Sequence, residues 1–419
     1  MGKTFAEKIL AVKSGKESVS PGEIVTISPD VVMSHDNTAA ISKKFGQIGV
    51  NHVMHPEKIV ISLDHCVPAA TEEYALNHKE IREFVQKQGV RSFYDINTGV
   101  CHQVLPEKGH LLPGTLVLGA DSHTTTYGAF GAFAAGIGRS EVASIWATDE
   151  IWLRVPETLK INIEGELPRG LYAKDIILCI IGNLGADGAL YDAVEFSGKA
   201  VRNMSVGGRM TLCNMAAEMG VKIGYMEPDE KTIQWLASRT DKEYKIVKSD
   251  ADAEFERIID YDVSDLEPQI ACPHTVDNVK PVSEVVGTRI DQALIGTCTN
   301  GRIEDLKVAS DILRGKKISK GVRLLIFPAS MEVFGEAMEL GILQELVKSG
   351  AVIMNPGCGP CLGAHEGALA PGEVCLSTAN RNFKGRMGCR DAEIYLASPA
   401  TVAASSLYGE ITNVRRCSR

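Results

Sequence analysis

The feature that most constrains the fold is a series of short apolar runs, rich in β-branched residues, that alternate with amphipathic segments. Three such runs in the first half of the chain cover residues 58–63, 115–119 and 159–164. Runs of this length suit buried strands, and their alternation with amphipathic segments is typical of α/β layers. We therefore predict α/β units built on mostly parallel sheets.

Polar side chains directly follow two of these runs. Asp64 and His65 follow the first run, and Asp121, Ser122 and His123 follow the second. In open α/β sheets, ligands bind beyond the carboxyl ends of the strands, so these positions are candidates for a functional site. A carboxylate beside a histidine fixes its tautomer and raises its proton affinity, which suits a general acid.

Two further residues are candidates for the same functional site. His102 follows Cys101 within the same region as the other candidate histidines. Glu218 lies on a predicted helical segment, four residues after Asn214, so the two side chains share one face. Taken alone, any of these histidines has a structural role as its alternative, and Glu218 has that of an ordinary exposed helix glutamate.

The chain divides into three predicted α/β domains. A helix predicted over 141–152 ends before Pro156, and the charged, proline-bearing segment 241–281 is interpreted as a connecting stretch. We predict domains over residues 1–156, 157–265 and 266–419. The last domain has predicted strands at 292–296, 322–327, 351–354 and 373–377, and predicted helices at 304–313 and 330–340.

Three cysteines in the last domain form a possible ligand set. Cys298 lies in GTCTNG (296–301), and Cys358 and Cys361 lie in NPGCGPCLG (355–363), each directly after a predicted strand. The glycine-rich surroundings leave backbone N–H groups free to bond sulfur. The other cysteines, out of 11 in the chain, show no ligand spacing.

The cysteine pattern leaves two chemistries open. A CxxC pair is often a redox dithiol, and this hypothesis gives Cys298 no role. Structural zinc and electron-transfer iron–sulfur clusters need four ligands. Three thiolates with an open coordination position suit instead a cluster whose exposed iron acts as a Lewis acid.

Arg381 and Arg386 follow the last predicted strand. Paired arginines on a loop can bind carboxylates in bidentate fashion, although solvated surface arginines are the alternative.

Composition excludes several classes of protein. The net charge of −9 argues against a general nucleic-acid binder, which needs a basic surface. No apolar run approaches the ~20 residues of a membrane span. Because residues 1–16 alternate charged and apolar side chains, we predict no signal peptide and a cytoplasmic location.

Five motifs together make the sequence resemble the aconitase superfamily, and within it the large subunits of the isopropylmalate dehydratase and homoaconitase type. The resemblance covers essentially the whole chain and implies three α/β domains around one [4Fe–4S] cluster. The motifs are GADSHT (119–124), CNM (213–215), GTCTNG (296–301), NPGCGPC (355–361) and NRNFKGR (380–386).

The resemblance implies a role for each candidate. Cys298, Cys358 and Cys361 would hold three irons, and the fourth iron would stay open to substrate and water. Asp64 and His65 would protonate the departing hydroxyl. The other implied roles are active-site positions for His102, Asp121, His123 and Glu218, positions near the cluster for Asn214 and Asn380, and binding of the substrate carboxylate by Arg381 and Arg386.

The resemblance also implies a partner. Removal of water from a hydroxy acid needs a base for the carbon proton, and this sequence offers no clear base. In single-chain aconitases a serine in a fourth domain serves as this base, whereas this sequence ends at Arg419, soon after the arginine motif. We therefore expect a separate small subunit to supply the base and the specificity loop.

The expected reaction is that of a hydro-lyase acting on a branched hydroxy dicarboxylate, with 3-isopropylmalate as the first candidate. Ala40 stands where aconitases carry a substrate-binding glutamine, which argues against citrate. The segment DSHTTTY (121–127) departs from the isopropylmalate pattern, so 2,3-dimethylmalate, 2-methylmalate and homocitrate are alternatives. A dithiol oxidoreductase and an iron-responsive regulator are alternatives of other classes, but the acidic chain disfavours the regulator.

Overall fold

Parallel strands dominate the architecture, as the sequence predicts. The computed structural model of the protein describes residues 2–363 and 365–418. Within these ranges, three sheets of four or more strands are formed by consecutive stretches of the chain, with helices between the strands. The mostly parallel α/β fold class is thereby confirmed, while the exact domain boundaries stay a prediction.

The first unit contains a five-stranded sheet in the order β4-β3-β2-β5-β6, in which all neighbours are parallel. An antiparallel ribbon of β1 and β7 accompanies it. Its strands are β1 (Ile24–Ile27), β2 (Val31–Ser34), β3 (Ile59–Ser62), β4 (Ser92–Tyr94), β5 (Leu116–Gly119), β6 (Phe133–Gly136) and β7 (Ile151–Arg154), and its helices are α1 (Phe5–Lys13), α2 (Thr38–Ile48), α3 (Glu72–Gln88), α4 (Cys101–Glu107) and α5 (Arg139–Thr148).

The second unit contains a four-stranded parallel sheet in the order β10-β9-β8-β11. Its strands are β8 (Thr158–Glu164), β9 (Ala193–Ser197), β10 (Ile223–Tyr225) and β11 (Arg257–Asp262), and its helices are α6 (Ala173–Leu184), α7 (Lys199–Asn203), α8 (Val206–Ala216) and α9 (Glu230–Ala237).

The third unit contains a seven-stranded sheet in the order β13-β12-β18-β17-β14-β15-β16. Strand β12 is antiparallel to both of its neighbours, and the other pairs are parallel. Its strands are β12 (Gln269–Ala271), β13 (Val279–Pro281), β14 (Gln292–Gly296), β15 (Arg323–Phe327), β16 (Val352–Ile353), β17 (Val374–Ser377) and β18 (Glu393–Ala397), and its helices are α10 (Thr297–Asn300), α11 (Ile303–Leu313), α12 (Met331–Glu339), α13 (Ile342–Ser349) and α14 (Pro399–Tyr408).

The burial of the strands explains why the apolar runs are continuous rather than alternating. All four residues of β3, all four of β5 and all five of β14 are buried. Parallel sheets have helices on both faces, so both faces of their strands need apolar side chains. One apolar core includes Val117, Leu212 and Leu396 from the three units, so the units pack around shared contacts.

Two predictions of local structure are wrong in part. The helix predicted over 141–152 ends at Thr148, because Asp149 adopts a left-handed conformation with φ 60° and Ile151 begins β7. The stretch 241–281, interpreted as a connection, contains β11, β12 and β13. Strand β13 is at the edge of the sheet, where proline is tolerated. The prolines of this stretch therefore led to the wrong prediction of a connection without strands.

Glu218 lies in the 3₁₀ turn Ala217–Met219 that directly continues α8, so it falls on a helical segment as predicted, and its side chain is buried rather than exposed. Among the described residues, no helix has the length and apolarity needed to cross a membrane.

Candidate functional site

The candidate site lies where the three units meet, beyond the carboxyl ends of parallel strands. Asp64 follows β3, Asp121 follows β5, Cys298 follows β14, and Asn380 lies on the loop after β17. The turn after α8 brings Glu218 from the second unit to the same place. Strand ends of separate sheets thus supply one common site, as expected for α/β folds.

Asp64 is buried and aligned with the half-buried ring of His65. His65 Nδ1 lies 2.6 Å from Asp64 Oδ1, and Asp64 Oδ2 accepts the backbone N–H of Cys101 at 2.6 Å. His65 Nε2 lies 3.6 Å from Asp121 Oδ2, which is beyond hydrogen-bond distance. The Asp64 carboxylate therefore fixes the ring through Nδ1 and leaves Nε2 available.

Two residues of the loop after β2 were missed by the sequence analysis. Asp36 Oδ2 accepts the backbone N–H groups of Asp64 at 2.9 Å and His65 at 2.8 Å. His35 stacks on His65 with ring centroids 3.7 Å apart, and burial lowers the pKa of His35 to about 4. A neutral imidazole therefore covers the His65 ring. The signal that marks Asp64, a polar pair directly after a strand, also marks this loop.

Asp121 organises the other two predicted histidines. Its Oδ1 lies 2.8 Å from His102 Nε2 and 3.3 Å from His123 Nδ1, and it accepts the backbone N–H of His123 at 2.7 Å. The far nitrogen of His102, Nδ1, lies 3.2 Å from the Tyr127 hydroxyl. One carboxylate therefore sets the orientation of two imidazole rings.

Glu218 connects this network to the arginine loop. Its Oε1 lies 2.9 Å from His123 Nε2, and its two oxygens accept from Arg381 Nε at 2.9 and 3.0 Å. Arg381 also donates to the hydroxyl of Ser122 at 3.0 Å. Side chains of all three units are thereby joined in a single chain of hydrogen bonds.

The network holds opposite charges side by side. Burial lowers the pKa of His65, but the carboxylates of Asp64 and Asp121 outweigh it and raise that pKa well above its usual value. Burial raises the pKa of Asp121, yet its hydrogen bonds with His102 and His123 hold that pKa well below its ordinary value. The two carboxylates therefore favour the protonated imidazole of His65, which is the state a general acid requires.

A strained turn brings Cys298 into the site. Thr297, immediately before it, has φ 66°, a left-handed conformation that β-branched residues rarely adopt. At Gly296, with φ 148°, an added Cβ would lie 2.2 Å from the carbonyl oxygen of Phe327, so the turn requires glycine. Such local strain is typical of functional positions.

Amide groups from two units point at the cysteine sulfurs. Asn214 Nδ2 lies 3.3 Å from Cys298 Sγ, and Asn380 Nδ2 lies 3.6 Å from the same sulfur. Cys361 Sγ lies 3.3 Å from Asn380 Oδ1, and Asn380 Nδ2 donates to Asn214 Oδ1 at 3.2 Å. Cys298 thus faces two amide N–H donors, which orient a thiolate ligand and adjust the properties of the metal it holds, whereas the Cys361 thiol donates to an amide oxygen.

The three cysteines are buried in different electrostatic surroundings. A hydrogen bond from Cys358 and the charge of Arg386 hold the pKa of Cys361 well below its usual value, whereas burial raises the pKa of Cys298 to about 11. The Arg386 guanidinium lies 3.9 Å from Cys361 Sγ, and within residues 2–363 and 365–418 its buried Nε has no hydrogen-bond partner. The site therefore offers positive charge to an anionic group.

The sulfurs suit a cluster of several metal atoms. Among the described residues, the groups of three or more His, Cys, Asp or Glu side chains whose ligand atoms all lie within 4.8 Å of one another consist of His and Asp. The three cysteines therefore do not form such a group. A single zinc ion bound at about 2.3 Å would bring its sulfur ligands that close together. Three buried thiols that do not all lie this close to one another, with amide and guanidinium groups around them, fit an iron–sulfur cluster.

Backbone hydrogen bonds tie the cysteine turn to the acid–base loop. The N–H of Cys358 donates to the carbonyl oxygen of Asp64 at 2.7 Å, and Asn355 Nδ2 donates to the carbonyl oxygen of Val67 at 3.3 Å. The structure therefore brings together all the residues predicted for the site, while their roles stay predictions.

A cavity of about 450 Å³ opens from His65 toward solvent. Its wall includes His35, Ala40 and two exposed cationic side chains, Lys43 and Arg139. The small side chain of Ala40 leaves this wall open beside His65. A ligand of the size of a branched hydroxy acid has room to enter here.

Comparison with known proteins identifies a family and several relatives of the whole chain. The family model described as the aconitase family (aconitate hydratase) matches residues 7–409. A probable 3-isopropylmalate dehydratase large subunit from Methanothermobacter thermautotrophicus is 54% identical over 414 residues, which cover 99% of each chain. A 3-isopropylmalate dehydratase large subunit from Methanopyrus kandleri is 55% identical over 416 residues, again 99% of each chain.

A relative with another name is also similar. A probable methanogen homoaconitase large subunit from Methanosarcina mazei is 54% identical over 388 residues, which cover 92% of this chain and 98% of that protein.

Proposed function

This chain belongs to the aconitase family, and we propose that it is the large, iron–sulfur subunit of a hydro-lyase that dehydrates and rehydrates 3-isopropylmalate, a step that fits leucine biosynthesis. The observation that carries the proposal is the meeting of three buried cysteines, the Asp64–His65 pair and two arginines in one site. Relatives named 3-isopropylmalate dehydratase large subunit, matched over 99% of the chain, support the substrate.

The residues that would hold a [4Fe–4S] cluster are Cys298, Cys358 and Cys361. A cluster with three protein ligands keeps one iron open, and the chemistry it supplies is Lewis-acid activation of a hydroxyl as a leaving group. Asn214 and Asn380 orient the sulfurs through the amide contacts described above.

His65 is the general acid of the proposed reaction. Its Nδ1 is occupied by Asp64, so the transferable proton is on Nε2. Because Nε2 lies 3.6 Å from Asp121, no strong hydrogen bond competes for this proton. The His35 ring on one face restricts rotation of His65, so the proton is delivered in one direction.

Arg386 and Arg381 are the proposed anchors of the substrate carboxylate. Arg386 has an unpartnered Nε within the described part of the chain, and Arg381 is held in place by Glu218 and Ser122. A guanidinium binds a carboxylate with two parallel hydrogen bonds, which fixes orientation as well as charge. His102, Asp121 and His123 keep this surface polar and ordered.

The partner is a separate small subunit. Relatives named large subunits imply that such a partner exists, and we propose that it supplies the base for the carbon proton and the loop that selects the substrate side chain. It would cover the cavity that opens beside His65.

A second candidate substrate is homocitrate. Arg139 lines the same cavity as His65, is exposed and makes no ion pair within residues 2–363 and 365–418. A cation in this position would suit an additional carboxylate better than an isopropyl group. Relatives named homoaconitase large subunits agree with this alternative.

The test is anaerobic co-production with a small-subunit candidate from the same genome, followed by an assay for the unsaturated product. The substrates are 3-isopropylmalate, 2,3-dimethylmalate, 2-methylmalate, homocitrate and citrate. We expect a brown complex that turns over 3-isopropylmalate fastest. Preference for homocitrate that Arg139→Ala abolishes would transfer the assignment to homoaconitase. A colourless protein whose Cys358 and Cys361 form a disulfide would replace the hydro-lyase by a dithiol oxidoreductase.

A further inference from the structure

Lys174 is a buried cation that the proposed reaction does not use. It is the second residue of α6 and is completely buried. Helix α6 belongs to the second unit and packs against β12, β13 and β18 of the third. Lysine is rarely buried completely unless it is paired, so this position requires an explanation.

The ammonium group binds the loop that leads to the site. Lys174 Nζ donates to the carbonyl oxygen of Thr378 at 2.9 Å and to that of Ala379 at 2.6 Å. The hydroxyl of Thr378 in turn accepts the N–H of Gly296 at 2.9 Å. Lys174 thus holds the backbone just after β17 against the glycine that begins the turn to Cys298.

The next residues along that loop are Asn380 and Arg381. Asn380 contacts the sulfurs of Cys298 and Cys361, and Arg381 binds Glu218. Two carbonyl oxygens fixed by one ammonium therefore decide where these side chains are placed.

The charge of Lys174 lies beside the loop whose next residue, Asn380, contacts the sulfurs. Within the described residues, Lys174 Nζ binds two carbonyl oxygens and makes no ion pair with a carboxylate. Burial lowers its pKa to about 7, and the anionic groups that oppose this effect most strongly are Cys361 and Cys298, followed by Glu218. Thiolate ligands would give this buried cation the counter-charge that carboxylates do not provide.

We propose that Lys174 is a positioning residue of the iron–sulfur site. Its ammonium fixes the Thr378–Ala379 backbone so that Asn380 meets the sulfurs, and its charge offsets the negative charge of the thiolate ligands. The inference rests on the proposed cluster. A positive charge near a cluster favours the reduced state, because net charge and hydrogen bonding set the reduction potential.

The test compares Lys174→Met and Lys174→Gln in the complex co-produced with its partner. The readouts are iron and sulfide per chain, the midpoint potential of the cluster in an anaerobic titration, and thermal unfolding of the cluster-free protein. We expect both variants to shift the potential to more negative values. Lys174→Met, which loses the hydrogen bonds as well, should also retain less iron than Lys174→Gln.

Lys58→Met is the matched control. Lys58 is a half-buried lysine, and it binds Asp149 and Ser28 in the first unit. Its loss should lower stability without moving the potential. A wild-type potential in whichever Lys174 variant folds would overturn the inference. If the wild-type complex itself has no cluster, the proposed function fails instead, so the two failures are distinguished.

Discussion

The acid–base groups and the cysteines share one site but differ in what completes them. The carboxylates of Asp64 and Asp121 receive hydrogen bonds from histidines and backbone N–H groups of the first unit. Cys298, by contrast, contacts amides from the second and third units, and Arg386 beside Cys361 keeps a buried Nε without a partner in the described ranges.

The difference indicates how each half is preorganised. The acid–base network satisfies its charges internally, so it needs no ligand to be ordered. The cysteine half leaves the buried Nε of Arg386 without a partner in the described ranges, so we expect a bound anionic group to complete it. Metal binding and folding of such sites are coupled.

The largest expected effect comes from Cys298→Ser. We expect loss of the cluster and of turnover together, because two remaining thiolates would hold the cluster poorly. Iron, sulfide and visible absorption are measured beside activity. Cys375→Ser is the control, since Cys375 is completely buried in β17 and no site contact depends on it. Retained activity in Cys298→Ser would remove this cysteine from the ligand set.

The next largest effect, that of His65→Ala, distinguishes the acid–base residues from the cysteine half of the site. His65→Ala should keep its iron while turnover falls by roughly 10²–10⁴, the usual range for a lost acid–base group. His110→Gln serves as control, because His110 is another histidine of the first unit, bound to the Tyr94 hydroxyl. A wild-type rate in His65→Ala would exclude His65 as the acid.

A pH profile tests the state of the acid. The pKa of His65 is raised, so the protonated form is present at lower pH, and kcat/KM should fall as pH rises through that pKa. Asp64→Asn removes the carboxylate that raises it most, so the alkaline limb should move to lower pH by about one to three units. An unchanged alkaline limb in Asp64→Asn would contradict the assignment of this limb to His65.

The smallest effect concerns the carboxylate anchor. Lysine cannot reproduce the contacts that Arg381 makes with Glu218 and Ser122. We expect Arg381→Lys to raise KM about tenfold, which corresponds to about 1.4 kcal/mol, with a smaller change in kcat. Arg390→Lys, at an exposed position near the same loop, is the control. Equal KM values in both variants would show that Arg381 does not bind substrate.

Local sequence patterns predicted much of the fold. The predicted strand at 292–296 coincides with β14, and the predicted helix at 304–313 differs from α11 by one residue. The strand is a continuous apolar run and the helix is an amphipathic segment, and both have clear ends. The strands in 241–281 were missed, because β11 is largely exposed and β13 contains an edge proline, so neither has the apolar pattern of a buried strand.

By itself, the sequence determined which chemical groups the site contains. The glycine-rich cysteine motifs and the polar pairs after strands depend on local backbone requirements, so they can be recognised along the chain. Only the tertiary structure decided what surrounds them. The stacking of His35 on His65 and the contact of Lys174 with the Thr378 loop join residues that are far apart in the sequence or carry no local signal. Such contacts arise from the packing of whole units, which no local pattern encodes.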